Sequence, residues 1–428
     1  MNDDRLSPEI RRVAIVVIVG AVMSILDTTI VNVALESLSR DLDAPLSTIQ
    51  WVATGYLLSL ATVIPLTGWA AERFGPRTVW LTVVAAFAVT SALCALAWSA
   101  ESLIAFRVLQ GLAGGMVMPI GMITLAQTAG PHRVGRVMSV IGVPMLLAPV
   151  LGPVLGGLIV THMSWRWIFL VNLPIGAIGL VLAARLMPRG RAIGRGGEGA
   201  PSHLDWKGLL LLSPGLAFVV FGLSEVSTSG GVTFERLLPT IGGLALIAGF
   251  VAHAWRAEAP LVDVRLFRGR GFAAAGATVF LVGGALFGAL LVLPLYYQVA
   301  RGESALVAGL LMAPQGVGAA LGMNRAGRLV DRIGGGRVVL MGLATLMLGT
   351  IAFTQVDPDT SFWILGASLV VRGVGLGFTM MPAMAAAYAT IGREQVPRAT
   401  PMLNVVQRVG GSLGTAILAV VLQRQIAA

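Results

Sequence analysis

The stretch 24–35, SILDTTIVNVAL, sets one carboxylate, Asp27, in the middle of a long apolar run. An isolated ionised carboxylate in an apolar medium is costly, so it must be neutralised or paired. A buried acid beside a cation can gain and lose a proton as its surroundings alternate, which is the chemistry of proton coupling. The nearest matching cation in another apolar run is Arg107, in RVLQGLAGG, with Gln110 one turn further on. For a helix over 13–37, Asp27 lies roughly 20 Å from the starting end at 1.5 Å per residue. Arg107 lies roughly 8–9 Å down a helix that enters from the opposite side. The two depths differ by a few ångströms, so the arginine side chain reaches the carboxylate. Burial raises the acid's proton affinity and the cation lowers it, and cargo arriving nearby would tip that balance. The plainer alternative is a fixed ion pair that never titrates.

The same helix supplies the surroundings. Gly20, Ser24, Val31 and Ala34 share the face of Asp27, a small-residue stripe suited to neighbouring helices or a cavity. Thr28 and Asn32 form an adjacent polar pair, and Asn32 joins Asp27, Arg107 and Gln110 as a coupling or substrate candidate. Glu225 is a further candidate, at the outer end of a later apolar run, where a solvated helix end is the competing reading. Arg408 and Gln407 lie in QRVGGSLG, where a polar tie to a closely packed helix is expected.

These residues need a bundle in lipid to position them. The chain has 428 residues, 56% hydrophobic and 12% charged, with 54 Gly and a mean hydropathy of +0.85. A soluble domain carries about a quarter charged residues, and no soluble core could bury this much apolar surface. The formal charge of +10 is spread through short turns between apolar runs, which reads as a topology signal and not as a nucleic-acid patch. The single Cys94 lies in an apolar run with a packing role. The four His lie in or near loops, and no metal-ligand set is present.

Thirteen candidate spans lie near 13–37, 48–70, 78–98, 102–127, 135–161, 166–186, 207–226, 237–255, 272–299, 304–324, 336–356, 361–390 and 399–423. With the N-terminus inside, inner connections hold 22 of the 30 basic residues and outer ones hold 5. That asymmetry predicts a cytoplasmic N-terminus. The polar stretch 187–208 separates six spans from the rest. The expected units are an N-terminal half over 1–190, a linker with two inserted spans over 191–265, and a C-terminal half over 266–428 with five spans.

The halves repeat. GWAAERFGPRTV, holding Gly68, Glu72, Arg73, Gly75 and Arg77, matches GRLVDRIGGGRVV, holding Gly327, Asp331, Arg332 and Gly334. The offset between Gly68 and Gly327 is 259 residues, and Arg107 answers Arg372 at an offset of 265. Two features at nearly one offset indicate duplicated six-helix halves, an arrangement typical of transporters. Gly75 and Gly334 suit tight reversals. Glu72 and Asp331 suit the positive N-terminus of a neighbouring helix, acting as gating latches; the plainer alternative is that these turns are positive-inside anchors alone.

The residues carry a family likeness. GWAAERFGPR resembles the signature between helices 2 and 3 of the major facilitator superfamily, and RVLQGLAGG its fourth-helix motif. PMLLAPVLGPVLGG, with Pro149, Gly152, Pro153, Gly156 and Gly157, resembles the fifth-helix motif of its antiporters. LDTTIVNVAL, WRWIFLVNLPIG and LPLYYQ resemble the 14-helix drug:proton antiporter branch. The resemblance implies an all-α integral membrane protein of 6+2+6 helices, whose fifth helix seals the halves against leak. The chain departs from the pattern at Glu36, where Pro is usual, and at Glu72, where Asp is commoner. Thirteen spans are counted where the family has fourteen; either one helix is divided wrongly or, as the regular charge alternation favours, the last helix is missing from this chain.

Tyr56, Tyr297, Gln298, Met312 and Gln315 are the cavity candidates, and an aromatic, Met-rich cavity with one acid suits lipophilic or cationic compounds. The expected function is proton-coupled export of such small molecules by alternating access, in a monomer in the inner membrane of a bacterium. The proton gradient would supply the energy. No cofactor, nucleic acid or catalytic constellation is expected, and no phosphate-binding loop is present. The rival readings are export of a metabolite, lipid or siderophore, or a receptor that binds without transporting. Fold alone does not choose among them.

Overall fold

Backbone in lipid has to satisfy its own hydrogen bonds, and apolar runs of this length do so as helices. The computed structural model describes residues 7–129, 137, 151–152, 154–188, 203–228, 234–357 and 359–427. They are helical with short connections and contain no strand. The first half comprises α1 (Pro8–Asp41), α2 (Leu46–Val63), α3 (Leu66–Phe74), α4 (Pro76–Ala95), α5 (Ala100–Ala129) and α6 (Asn172–Leu186). A short helical turn, Trp167–Leu170, leads into α6. The inserted pair is α7 (Trp206–Thr228) and α8 (Phe234–Arg256). The second half comprises α9 (Arg270–Leu295), α10 (Ala305–Ile333), α11 (Gly335–Ile351), α12 (Phe362–Ala389) and α13 (Val396–Ala427).

Eleven helices among the described residues are long and apolar enough to cross a membrane. Helix α10 adds 29 residues, about 43 Å at 1.5 Å per residue. The expected fifth span, 135–161, falls largely outside the described residues, and its described part from 151 onward is helical. The expected second span, 48–70, is two helices. Pro65 separates α2 from α3, because its ring removes an N–H and crowds the preceding turn. The helical part of the first loop motif therefore extends to Phe74. Pro119, Pro314 and Pro382 sit inside continuous helices, whereas Pro294 precedes a π-helical turn at Tyr296–Ala300.

The halves share one plan. Helix α5 packs on α1, α2 and α4, and α12 packs on α9, α10 and α11 in the corresponding way. Gly111 and Gly373 permit the closest approaches. A Cβ on Gly111 would meet the Ser59 hydroxyl and the Tyr56 carbonyl, and one on Gly373 would meet the Gln315 carbonyl. Both loop motifs reverse at a glycine of positive φ, Gly75 at 85° and Gly334 at 84°, a conformation that side chains other than Gly disfavour. The inserted α7 packs on α8, and also rests on α2 of one half and α13 of the other. The core lies where these helices meet, with large apolar side chains left facing outward, as lipid requires.

Candidate functional site

The long α1 presents Gly20, Ser24, Asp27, Val31 and Ala34 on its buried face. Asp27 is 0% exposed and Arg107 1%. Arg107 Nη1 donates to Asp27 Oδ2 at 2.7 Å. The other carboxylate oxygen accepts from Asn172 Nδ2 at 2.7 Å and from Gln110 Nε2 at 3.2 Å. Helices α1, α5 and α6 thus converge on one carboxylate. Three donors on two oxygens fit the ionised, acceptor-only form.

A second layer holds the donors. Ser91 Oγ accepts 3.0 Å bonds from both Gln110 and Asn172 and donates to the Phe169 carbonyl at 2.9 Å. Arg107 also donates to Gln110 Oε1 at 2.6 Å and, through Nε, to the Val52 carbonyl at 3.2 Å. The Tyr56 ring lies 3.9 Å from the guanidinium carbon, a cation–π contact in a dry setting. Cys94 Sγ lies 3.5 Å from Gln110 Oε1 as a donor. Two polar atoms in this cluster lack a hydrogen-bond partner, the Tyr56 hydroxyl and Asn172 Oδ1.

The sequence reading assembled only part of this group. Asp27, Arg107 and Gln110 come together. Asn32 does not: it is exposed on α1 and makes none of these bonds. The amide that does is Asn172, from WRWIFLVNLPIG, whose signal was a polar residue inside an apolar run. Ser91 and Cys94 carried no signal beyond their types. Glu225 is half-buried near the end of α7 and is not among the groups bonded to Asp27.

The cavity lies beside this cluster. It encloses about 240 Å³ between the halves and is lined by Thr28, Leu57, five methionines, Gln315, Asn404, Gln407 and Arg408. Met312 and Gln315 line it as expected. Tyr56 does not, being wholly buried under Arg107. Tyr297 is packed among α9, α10 and α12, and Gln298 is exposed beyond them. The acid is also absent from the lining, because the close packing of α1, α5 and α6 seals Asp27 in. The charged group in the wall is Arg408, which lines the cavity and does not serve as a packing tie. The structural reason for expecting cationic cargo is thereby removed.

The loop motifs sit unequally. Glu72 on α3 receives Arg398 Nε at 3.1 Å and Nη2 at 3.4 Å. Arg398 lies in the first turn of α13, so Glu72 also faces a helix N-terminus. A Cβ on Gly68 would strike the Pro397 carbonyl. Arg77 caps α6 by donating to the Ala184 carbonyl at 2.6 Å, and Arg73 is exposed. In the second motif Gly327 is buried, whereas Asp331, Arg332 and Gly334 are exposed. In the fifth-helix motif, Gly152 and Gly156 abut Thr29 and Ile30 of α1, while Gly157 faces open space. Pro149 and Pro153 lie outside the described residues.

Residues 17–415 match the Major Facilitator Superfamily. The chain belongs to this family. It is 45% identical over 427 residues to a multidrug resistance protein B homolog of Mycobacterium tuberculosis, covering 99% of this chain and 78% of that one. It is 30% identical to the tetracenomycin C resistance and export protein of Streptomyces glaucescens, covering 96% and 75%. Among solved structures, the human organic anion transporter MFSD10 superposes with a TM-score of 0.69 at 20% identity, covering 98% of this chain and 95% of that one. This superfamily member is therefore a multi-pass membrane transporter of the drug-resistance branch, with a small molecule as its substrate.

Proposed function

We propose that this transporter exports lipophilic, drug-like compounds in exchange for protons, by alternating access and without catalysing a reaction on them. The observation that carries the reading is the sealed Asp27–Arg107 pair at the edge of the cavity. Thr28 and Leu57, the residues next to Asp27 and Tyr56, line the cavity wall. Cargo pressing on that wall moves the backbone that holds the pair. Cargo that seats Arg107 on the carboxylate expels the proton, because the paired cation favours the ionised form, and the carboxylate takes a proton up again once the cation loosens. With the N-terminus cytoplasmic, the Glu72–Arg398 contact closes the cytoplasmic end, and opening that end releases the proton inward as cargo is taken up. The multidrug-resistance and export names of the relatives support the cargo class.

The test is reconstitution in proteoliposomes with an imposed proton gradient, following dye efflux and internal pH together. Efflux that collapses with an ionophore, and proton movement lost in Asp27→Asn, is the expected result. Unchanged proton movement in Asp27→Asn would sink the coupling role.

A further inference from the structure

Arg408 lines two cavities. Besides the central one, it borders a side chamber of about 200 Å³ walled by α7, together with Leu57, Ala61, Val220, Leu223 and Phe287. Leu57, Phe287 and Arg408 belong to both linings, so the chambers adjoin at these three residues. The side chamber exists because the inserted α7 bridges α2 and α13. Its walls are otherwise mainly apolar.

The charge balance here is one-sided. Arg408 has no hydrogen bond or ion pair among the described residues. A second cation stands behind the wall: Arg372 is 4% exposed and is held by the Gln315 side chain and the Ala285 carbonyl, with no carboxylate among the described residues. Gln315 itself lines the central cavity. Among the described residues no acid lines either chamber. A cation left unpaired within a membrane bundle is expensive, and a bound anion relieves that cost.

We propose that the two chambers form a bipartite site for a small amphipathic acid. Its anionic head sits at Arg408 and its apolar tail lies in the side chamber against Val220 and Leu223 of α7. This deepens the export reading and rests on it only in treating the occupant as cargo. Arg408 selects the head by charge, and the inserted helix selects the tail by length.

The experiment uses the full chain in phosphatidylcholine nanodiscs, with binding to empty discs subtracted. Decanesulfonate, decanol and decyltrimethylammonium share a tail and differ in head charge. Decanesulfonate is expected to bind at least about tenfold tighter than the other two, in line with a charge-assisted hydrogen bond. Arg408→Gln removes that advantage and leaves decanol unchanged, whereas Arg408→Lys keeps part of it. Val220→Trp, which fills the chamber, weakens decanesulfonate about tenfold and spares hexanesulfonate. Equal or tighter binding of decyltrimethylammonium to the unmodified chain overturns the proposal, and needs no variant to fold. Retention of anionic phospholipid through Arg408, with no decanesulfonate binding, also overturns it in favour of a lipid site. Binding needs neither transport nor a gradient. Charge-selective binding without efflux therefore fails the export reading alone, and gradient-driven efflux without charge preference fails this inference alone.

Discussion

Glu72 and Arg398 are 326 residues apart in the chain and 3.1 Å apart in space. The pair ties α3 of one half to the first turn of α13 of the other, where Gly68 lets the backbones meet. Both side chains retain some exposure, 10% and 23%, so their worth to stability is small, below about 1 kcal/mol. On the proposed alternating access, their effect falls instead on which end of the transporter is open. Glu72→Arg is expected to raise cysteine accessibility at that end, and the reversal Glu72→Arg with Arg398→Glu to restore closure. An accessibility pattern unmoved by the single change would show that the contact is no latch.

Removing one member of the buried pair acts on stability. Arg107→Ala takes the buried Asp27 carboxylate's cation away and strips the Val52 carbonyl and the Tyr56 ring of their partner. Loss of a buried partner costs about 3–5 kcal/mol. A sharp fall in the thermal midpoint is expected, larger than for Asp27→Asn, which keeps an acceptor for Arg107. Equal midpoints would contradict the burial described for the pair.

Asn172→Ala tests the donor that sequence reasoning overlooked. It removes the 2.7 Å bond to Asp27 and one of the two donors on Ser91. A loss of about 1–3 kcal/mol is expected, together with an altered pH profile of transport. Asn32→Ala, at an exposed position, is expected to change neither. Matching effects of the two substitutions would argue against the site as drawn.

The two close-packing glycines predict matched packing defects. Gly111→Val drives side-chain atoms into Ser59 and the Tyr56 carbonyl, and Gly373→Val drives them into the Gln315 carbonyl. Overpacking of this kind costs about 1–3 kcal/mol or more. Thermal midpoints should fall in both variants, and Gly157→Val, with nothing within 4 Å, should leave the midpoint unchanged.

The spans, the repeat and the ion pair were legible because each leaves a one-dimensional trace. Hydropathy marks spans, a constant offset marks a repeat, and two opposite charges at matching depth mark a pair. What could not be read was rotation about the helix axis. Asp27 and Thr28 are neighbours on α1, yet the first is sealed against α5 and α6 and the second lines the cavity. Tyr56 and Leu57 are neighbours, yet the first stacks under Arg107 and the second meets the cavity. Arg408 lay in a glycine-rich segment that reads as close packing. Only the placement of α7 against α13 shows that a chamber opens there.

The cations of the two halves also differ in how they meet the electrical field of a membrane. Arg107 is cancelled by Asp27 while the carboxylate is ionised, so in that state moving the first half carries no net charge at that point. Among the described residues Arg372 and Arg408 have no such counter-charge, so the alternating access proposed above would displace positive charge along the membrane normal as the second half rocks. A unit charge crossing a full 100 mV is worth about 2.3 kcal/mol. Each tenth of the field that either arginine crosses thus contributes about 0.2 kcal/mol. Turnover should then respond to voltage even with an uncharged cargo and no pH difference, and filling the site with an anion should blunt that response. On the two proposals together, the second half would act as a voltage-sensing element that an anionic cargo discharges.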